Sequence, residues 1–331
     1  MRTVETVEVS VEDGEARIDR WLRRRHPQLT QGQVEKLLRT GQVRVDGARV
    51  KSSDRVSPGQ IVRIPPLPTA PQRPERSMLA PKDEAFVRSL VLHKDQDVIV
   101  LNKPQGLAVQ GGAKTVRHLD ALLDGLKFDA ESRPKLIHRL DRDTSGCLVL
   151  ARNPRAAAAL GEAFRDRDSE KIYWAVVLGS PRPKAGELRC WMRKAPGAHE
   201  ADREQMRRAV QTDEGAVHAI TQYQVISEAA GRAAWMALRP VTGRTHQLRF
   251  HMAEIGHAIV GDRKYICDRP TPNDLGDALL LHARAVRLPH PSGGKFSVTA
   301  PLSPAIRAAF DALGFEEREA RDPFAPFEDP R

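Results

Sequence analysis

Apolar positions near the start of the chain recur at helical spacing. In RIDRWLRRR, Arg17 to Arg25, Ile18, Trp21 and Leu22 cover one face, while Arg17, Arg20, Arg23, Arg24 and Arg25 spread over the remainder. A second helix is expected from Gln31 to Thr40, with Val34, Leu37 and Leu38 inward, Lys36 and Arg39 outward, and Gly41 placed to cap it. The period then drops to two. VRVDGARV predicts two short strands around Asp46-Gly47, a hairpin signal, and SPGQIVRI adds a strand after the Pro58-Gly59 turn.

The periodicity stops at PPLPTAPQRPERSMLAPK, which is dense in proline and predicts an extended tether over 65–83. A larger domain is expected over 84–314. Its strand candidates are DVIVLN, CLVLA, KIYWAVVLG, AVHAITQYQVI, AWMALRP and KFSVTA; helices are expected at Pro154 to Arg165, around His246 to Ile255, and at Ser303 to Leu313. Strands dominate without a regular βαβ alternation, so the expected class is α+β with a large mixed, mainly antiparallel sheet behind a small αβ module over 1–64. The charged, proline-containing segment 315–331 predicts a disordered tail.

Composition narrows the function. With 40% hydrophobic and 29% charged residues among 331, the chain is of globular type, and no apolar run is long enough to span a bilayer. The N-terminus lacks an export or transit pattern, which points to the cytoplasm, with an organelle matrix as the alternative. Three scattered cysteines fit reduced thiols and offer no zinc spacing. His246, His251 and His257 are five and six residues apart, which does not place successive side chains on one helix face, so no metal is expected. A net charge of +10 favours a polyanionic partner.

The densest chemistry lies in HRLDRDTSG, His138 to Gly146, directly before the apolar run CLVLA. Thr144, Ser145 and Gly146 can turn the chain back into a strand, which presents Asp141 at a sheet edge on a rigid support. Arg139 and Arg142 flank Asp141, and guanidinium groups favour a charged carboxylate, suited to a nucleophile or a base and not to a proton donor. Read alone, the segment is better explained as an ion-pair loop.

Five blocks occur together and in order: LNKPQGLAVQGG, HRLDRDTSG, KIYWAVVLG, TGRTHQLRFHMAEIGHAIVGDRKY and LHARAVRLPHP. The set resembles the RluA family of pseudouridine synthases over nearly the whole larger domain, and the basic helix pair with its hairpin resembles the S4 RNA-binding module. The RDTSG and AVQGG segments are most similar to the synthase C branch of large-subunit ribosomal RNA enzymes, from which Gln110 departs where histidine is usual.

The resemblance implies an enzyme that breaks the N1–C1′ bond of uridine and rejoins the base through C5, without cofactor or metal. It implies Asp141 as the essential residue, acting at the sugar as nucleophile on C1′ or base at C2′, with attack at C6 an older proposal. Tyr173 is then expected to stack on the base or assist a late proton transfer, and Arg244 to pair with Asp141. Arg139 is expected to fill the gap left by the flipped nucleotide, and Arg142, Asn102, Lys103, His246 and Arg249 to shape the pocket or contact RNA. His138 is expected to orient the loop. Arg20, Arg23, Arg24, Lys36 and Arg39 would contact RNA from the S4 module. The expected partner is large-subunit ribosomal RNA or an assembling particle, with no membrane and a monomeric chain. Transfer RNA, or a non-catalytic RNA-binding role, are the alternatives.

Overall fold

In the small unit, Met1–Met78, the helical spacing is realised. The computed structural model describes residues 4–67, 79–111, 117–166, 168–195, 205–273 and 275–328. Helix α1 (Ile18–Arg25) buries Ile18, Trp21 and Leu22 in one core with Val34 and Leu38 of α2 (Gln31–Arg39). A reciprocal cap between Thr30 and Gln33 starts α2. Strands β1 (Glu5–Glu8), β3 (Arg44–Val45), β4 (Ala48–Arg49) and β6 (Ile61–Ile64) form a sheet in the order β1-β6-β3-β4. Strands β2 (Ala16–Arg17) and β5 (Arg55–Val56) pair separately. The hairpin turns on Asp46 and Gly47, both at positive φ, as the Asp-Gly signal requires.

The larger unit, Leu79–Arg331, starts earlier than the proline content suggests. Residues 81–83, expected in the tether, open α3 (Pro81–Ser89), with Pro81 in its first turn beside Asp83 and Glu84. Most of the tether, 68–78, lies outside the described residues. There follow β7 (Val91–Lys94), β8 (Val98–Lys103), α4 (Leu119–Leu122), β9 (Lys135–Leu136), β10 (Ser145–Ala151), α5 (Pro154–Arg165), β11 (Glu170–Leu178), β12 (Ala185–Lys194), β13 (Met206–Ala209) and β14 (Val217–Ala229). Strand β15 (Ala233–Pro240), α6 (Gln247–Glu254), β16 (Leu281–Pro289), β17 (Lys295–Thr299) and α7 (Pro304–Leu313) complete it.

One eleven-stranded sheet runs β13-β12-β14-β15-β11-β16-β10-β8-β7, with β17 on β16 and β9 on β10. Its pairs are antiparallel except β10–β16, which meet in parallel at Ser145–His282 and Gly146–Ala283. The middles of β8 and β10 are apolar because both faces are covered: Val98 to Leu101 and Leu148 to Leu150 pack with Leu119, Leu122, Leu123 and Leu126 and with Ala156 and Leu160 of α5. Trp174 and Trp235, edge to face at 4.5 Å, centre a second core under Phe310 of α7.

The segment from Phe315 onward is packed, not disordered, as far as residue 328. Phe315 and Phe324 are buried against the Trp174–Trp235 core, Arg284 pairs with Glu317, and Arg287 bonds Glu328 at 3.0 Å. Three phenylalanines spaced irregularly among charges anchor it, a pattern with no helical or strand period to read.

Gly146 explains the end of the HRLDRDTSG motif. Its φ is +105°, and a Cβ there would lie 2.2 Å from the Ala283 carbonyl oxygen across the parallel contact. Gly146→Ala is expected to cost on the order of 2–4 kcal/mol through overpacking and backbone strain. Gly161→Ala in α5, whose Cβ would meet nothing nearer than 3.8 Å, should be neutral or stabilising by up to ~1 kcal/mol. Thermal unfolding of the two variants checks the contrast.

Candidate active site

Asp141 sits in the turn that leads into β10, and two turns clasp each other to hold it. The Thr144 amide closes the first onto the Asp141 carbonyl at 3.2 Å. The Gly106 amide donates to the Arg142 carbonyl, while Arg142 Nε donates to the Gly106 carbonyl at 3.1 Å. Between them Lys103 is fully buried, and its Nζ donates to the carbonyls of Pro104, Leu107 and Arg142, each at 2.9 Å. All three of its donors are consumed by backbone. Burial pushes Lys103 down to about 8, opposed by the charges of Asp143 and Asp141. Lys103, expected on the substrate wall, is therefore a clamp beneath the loop. Asn102 lines neither concavity that opens at Asp141.

His138 orients the same loop from its other end. The imidazole stacks on Phe164 with centroids 4.5 Å apart, and its Nε2 accepts the Val149 amide at 2.9 Å. Burial pushes it down to about 3, so the ring is neutral and acts as an acceptor.

The cation nearest Asp141 is Arg249, not Arg244. Arg249 Nη1 lies 3.7 Å and His246 Nε2 3.8 Å from Asp141 Oδ2. Arg249 is itself held by a bidentate pair, Nε and Nη2 each 2.7 Å from Asp262, whose side chain is fully buried. Burial disfavours the Arg249 charge, but Asp262 and then Asp141 outweigh it and raise its pKa above the ordinary value. Arg244 instead donates from Nε to the His218 carbonyl at 3.1 Å and lines the cavity wall. The difference arises at His246, which takes a left-handed φ of 52° and starts α6 at Gln247, so that Arg249 falls in the first helical turn facing inward. Gln247 secures that turn: its Oε1 accepts from Thr242 Oγ1 and the Arg244 amide, and its Nε2 donates to the Ile220 carbonyl.

Asp262 and Tyr265 were not singled out by the sequence, although both lie in its TGRTHQLRFHMAEIGHAIVGDRKY block. The only available signal was an acid thirteen residues after Arg249. Gly261 permits the turn that delivers Asp262, since a Cβ there would lie 2.0 Å from the Ala278 carbonyl oxygen. Tyr265 joins the network through a 3.0 Å contact between its hydroxyl and His246 Nδ1. His251 and His257 are buried structural partners, bonded to Thr221 and to the Leu178 carbonyl, and both are pushed down by burial. Among the described residues, no three His, Cys, Asp or Glu side chains converge as metal ligands.

Asp141 lies where two concavities meet. One, of about 510 Å³, is walled by His138, Phe164, Lys171, Tyr173, Arg244 and Leu281. The other, of about 1050 Å³, is basic, with Arg142, Lys194, Arg263 and Lys264 around Gln105 and Gln110. Arg139, His246 and Arg249 line both. Tyr173 enters the first from β11, opposite a bulge where β16 carries Arg284 as an extra residue. Burial and the charge of Asp141 push Tyr173 well above its ordinary pKa, so its hydroxyl keeps its proton. The arrangement can hold a planar ring against a neutral phenol while a carboxylate, backed by a fixed guanidinium, addresses an adjoining atom.

In the small unit Arg20, Arg23 and Arg24 line one concavity together with Arg17 and Arg55, the last from β5. Lys36 and Arg39 are exposed on α2 and lie outside it.

Asp141 thus lies beside an arginine that a buried acid fixes in place, and comparison with known proteins assigns the class of protein that carries this arrangement. The family model for RNA pseudouridylate synthase matches residues 97–254, and that for the S4 domain matches residues 16–62. Ribosomal large subunit pseudouridine synthase C of Rickettsia felis is 33% identical over 85% of this chain and 90% of its own length. The Escherichia coli protein of the same name is 30% identical over 94% and 97%. The mitochondrial RNA pseudouridine synthase 4 of Arabidopsis thaliana is 37% identical over 79% of this chain, a match spanning 62% of the plant protein. Among solved structures, human RNA pseudouridylate synthase domain containing 4 superposes with a TM-score of 0.59 at 29% identity, over 71% of this chain and 98% of that one. The chain belongs to the RNA pseudouridylate synthase family, with an S4 domain ahead of the synthase domain, and is an isomerase.

Proposed function

We propose that this protein converts uridine to pseudouridine in large-subunit ribosomal RNA, with Asp141 acting at the sugar. The observation that carries the reading is the position of Asp141 at the mouth between the two concavities, 3.7 Å from an arginine that Asp262 fixes in place. The 510 Å³ cavity is large enough for one flipped nucleoside, and the larger basic concavity suits the strand from which it came. Relatives named for the ribosomal large subunit support that RNA as the substrate.

In the reaction the N1–C1′ bond breaks, the base turns within the cavity, and C5 bonds to C1′. The proton displaced from C5 leaves and N1 gains one, so the change is an isomerisation. Arg249 and His246 aim the Asp141 carboxylate at the ribose. Tyr173 supplies a flat surface and a retained hydroxyl proton. Arg139, exposed at the junction of both concavities, is positioned to occupy the space the nucleotide vacates. Arg17, Arg20, Arg23, Arg24 and Arg55 contact phosphates, and Lys36 and Arg39 extend that surface. We place the enzyme, acting as a monomer, in the cytoplasm or an organelle matrix, where ribosomal RNA is assembled.

The test is pseudouridine mapping of ribosomal and transfer RNA from cells lacking the protein and from the same cells supplied with it again. Sites in large-subunit RNA that vanish and return support the reading; sites confined to transfer RNA move the substrate, and unchanged maps leave only RNA binding. Separately, replacing Arg20, Arg23 and Arg24 with alanine should weaken RNA binding and flatten the dependence of log Kd on log salt by about 2, at roughly 0.7 per phosphate contact. Turnover at saturating RNA should be unchanged, because none of the three lines the Asp141 cavity.

A further inference from the structure

We infer that Lys171 anchors a backbone phosphate adjoining the reacting uridine, forming an anion subsite inside the Asp141 cavity. The inference rests on the synthase reading above. Lys171 and Tyr173 are two residues apart on β11 and share a sheet face, about 7 Å from each other along the strand. Both line the cavity that Asp141 opens into.

Among the described residues, no carboxylate pairs with Lys171. Its Nζ donates to Ser169 Oγ at 3.0 Å and stands 5.2 Å from the centre of the Phe164 ring. Both partners are neutral. Burial, opposed by no carboxylate among the described residues, pushes the ammonium down to about 8. Its charge in turn depresses His138, which places it beside the segment leading to Asp141. A desolvated cation without a counter-ion is costly, and an arriving anion removes that cost.

Lys103 offers the contrast. It is buried more deeply, but three backbone carbonyls saturate its three donors. Lys171 commits one donor to one hydroxyl among the described residues and has others to give. Arg165, exposed in the last turn of α5, lines the same wall and adds a second cation. Uracil and ribose carry no charge, so within RNA the group that fits is the phosphodiester.

The experiment measures Kd for a ribosomal RNA fragment containing the mapped uridine, and for two versions with a neutral methylphosphonate at the linkage on either side of it. Wild type should bind one of the two neutral versions about tenfold more weakly than the unmodified fragment. Lys171→Met should lose a similar factor on unmodified RNA, and Lys171→Arg should retain most of the affinity. Lys171→Met combined with the sensitive linkage should lose no more than either alone, because both remove one ion pair. Losses that multiply, or a wild type indifferent to both linkages, would overturn the subsite. Pseudouridine scored in the same mixtures separates the two readings: coupled affinity losses without product would leave the subsite standing and sink the synthase assignment.

Discussion

Asp141→Asn should lower the rate of pseudouridine formation by about 10⁴-fold or more while leaving the protein folded and able to bind RNA. The substitution keeps the shape of the side chain and removes its capacity to act as nucleophile or base, so the loss belongs to the chemical step. Asp141 is half-buried, and Arg249 keeps its two hydrogen bonds to Asp262 without it, so the melting temperature should move by only a few degrees. RNA affinity should hold or tighten, because a negative charge leaves a basic cleft. Single-turnover rates and Kd on one RNA measure both. Residual activity within about a hundredfold of wild type would remove Asp141 from the reaction centre.

Arg249→Met is expected to damage stability and activity together. It strands the Asp262 carboxylate, whose side chain has no exposure, and breaking a buried pair from one side costs about 3–5 kcal/mol. For a domain of this size that corresponds to a fall in Tm of roughly 10 °C. Activity should fall by about a hundredfold or more at a temperature where the variant is still folded, because Asp141 loses its fixed cation. Arg249→Lys should restore little, since an ammonium cannot make the two parallel bonds to Asp262. Adding Asp262→Leu to Arg249→Met should recover Tm without activity, which separates the two roles. Arg244→Ala, on an exposed side chain bonded to one backbone carbonyl, should cost less than about 1 kcal/mol. A Tm for Arg249→Met within about 2 °C of wild type would contradict the role given to the Asp262 pair.

Elements built on local rules were legible in the residues. Helix α5 runs Pro154–Arg165, the range its composition predicts, because Asn153 caps it and Pro154 opens it. The Asp46-Gly47 hairpin, the two basic helices and the apolar strands β8 and β10 were readable for the same reason. The position of Asp141 at a strand entrance followed from Thr-Ser-Gly preceding CLVLA. In each case the signal and its consequence lie within a few residues of one another.

The misreadings share a different cause. Arg244 and Arg249 both belong to TGRTHQLR, and only the left-handed backbone at His246 decides which of them turns toward Asp141. Lys103 beside proline reads as a pocket wall, and its burial depends on carbonyls that the 104–107 and 141–144 turns bring around it. The tail reads as solvated charge until Phe315 and Phe324 meet Trp235 and its neighbours.

By itself the sequence determined the domain order, the α+β class, the family and the place of Asp141 at a strand entrance. The tertiary structure alone decided that Arg249, fixed by Asp262, stands beside that aspartate. Capping, turn chemistry and periodicity act over a few residues and are written in the chain. The partners of a buried charge are chosen by sheet order, which sets Ser145 against His282 across 137 positions and leaves each buried cation whatever acceptors that packing supplies.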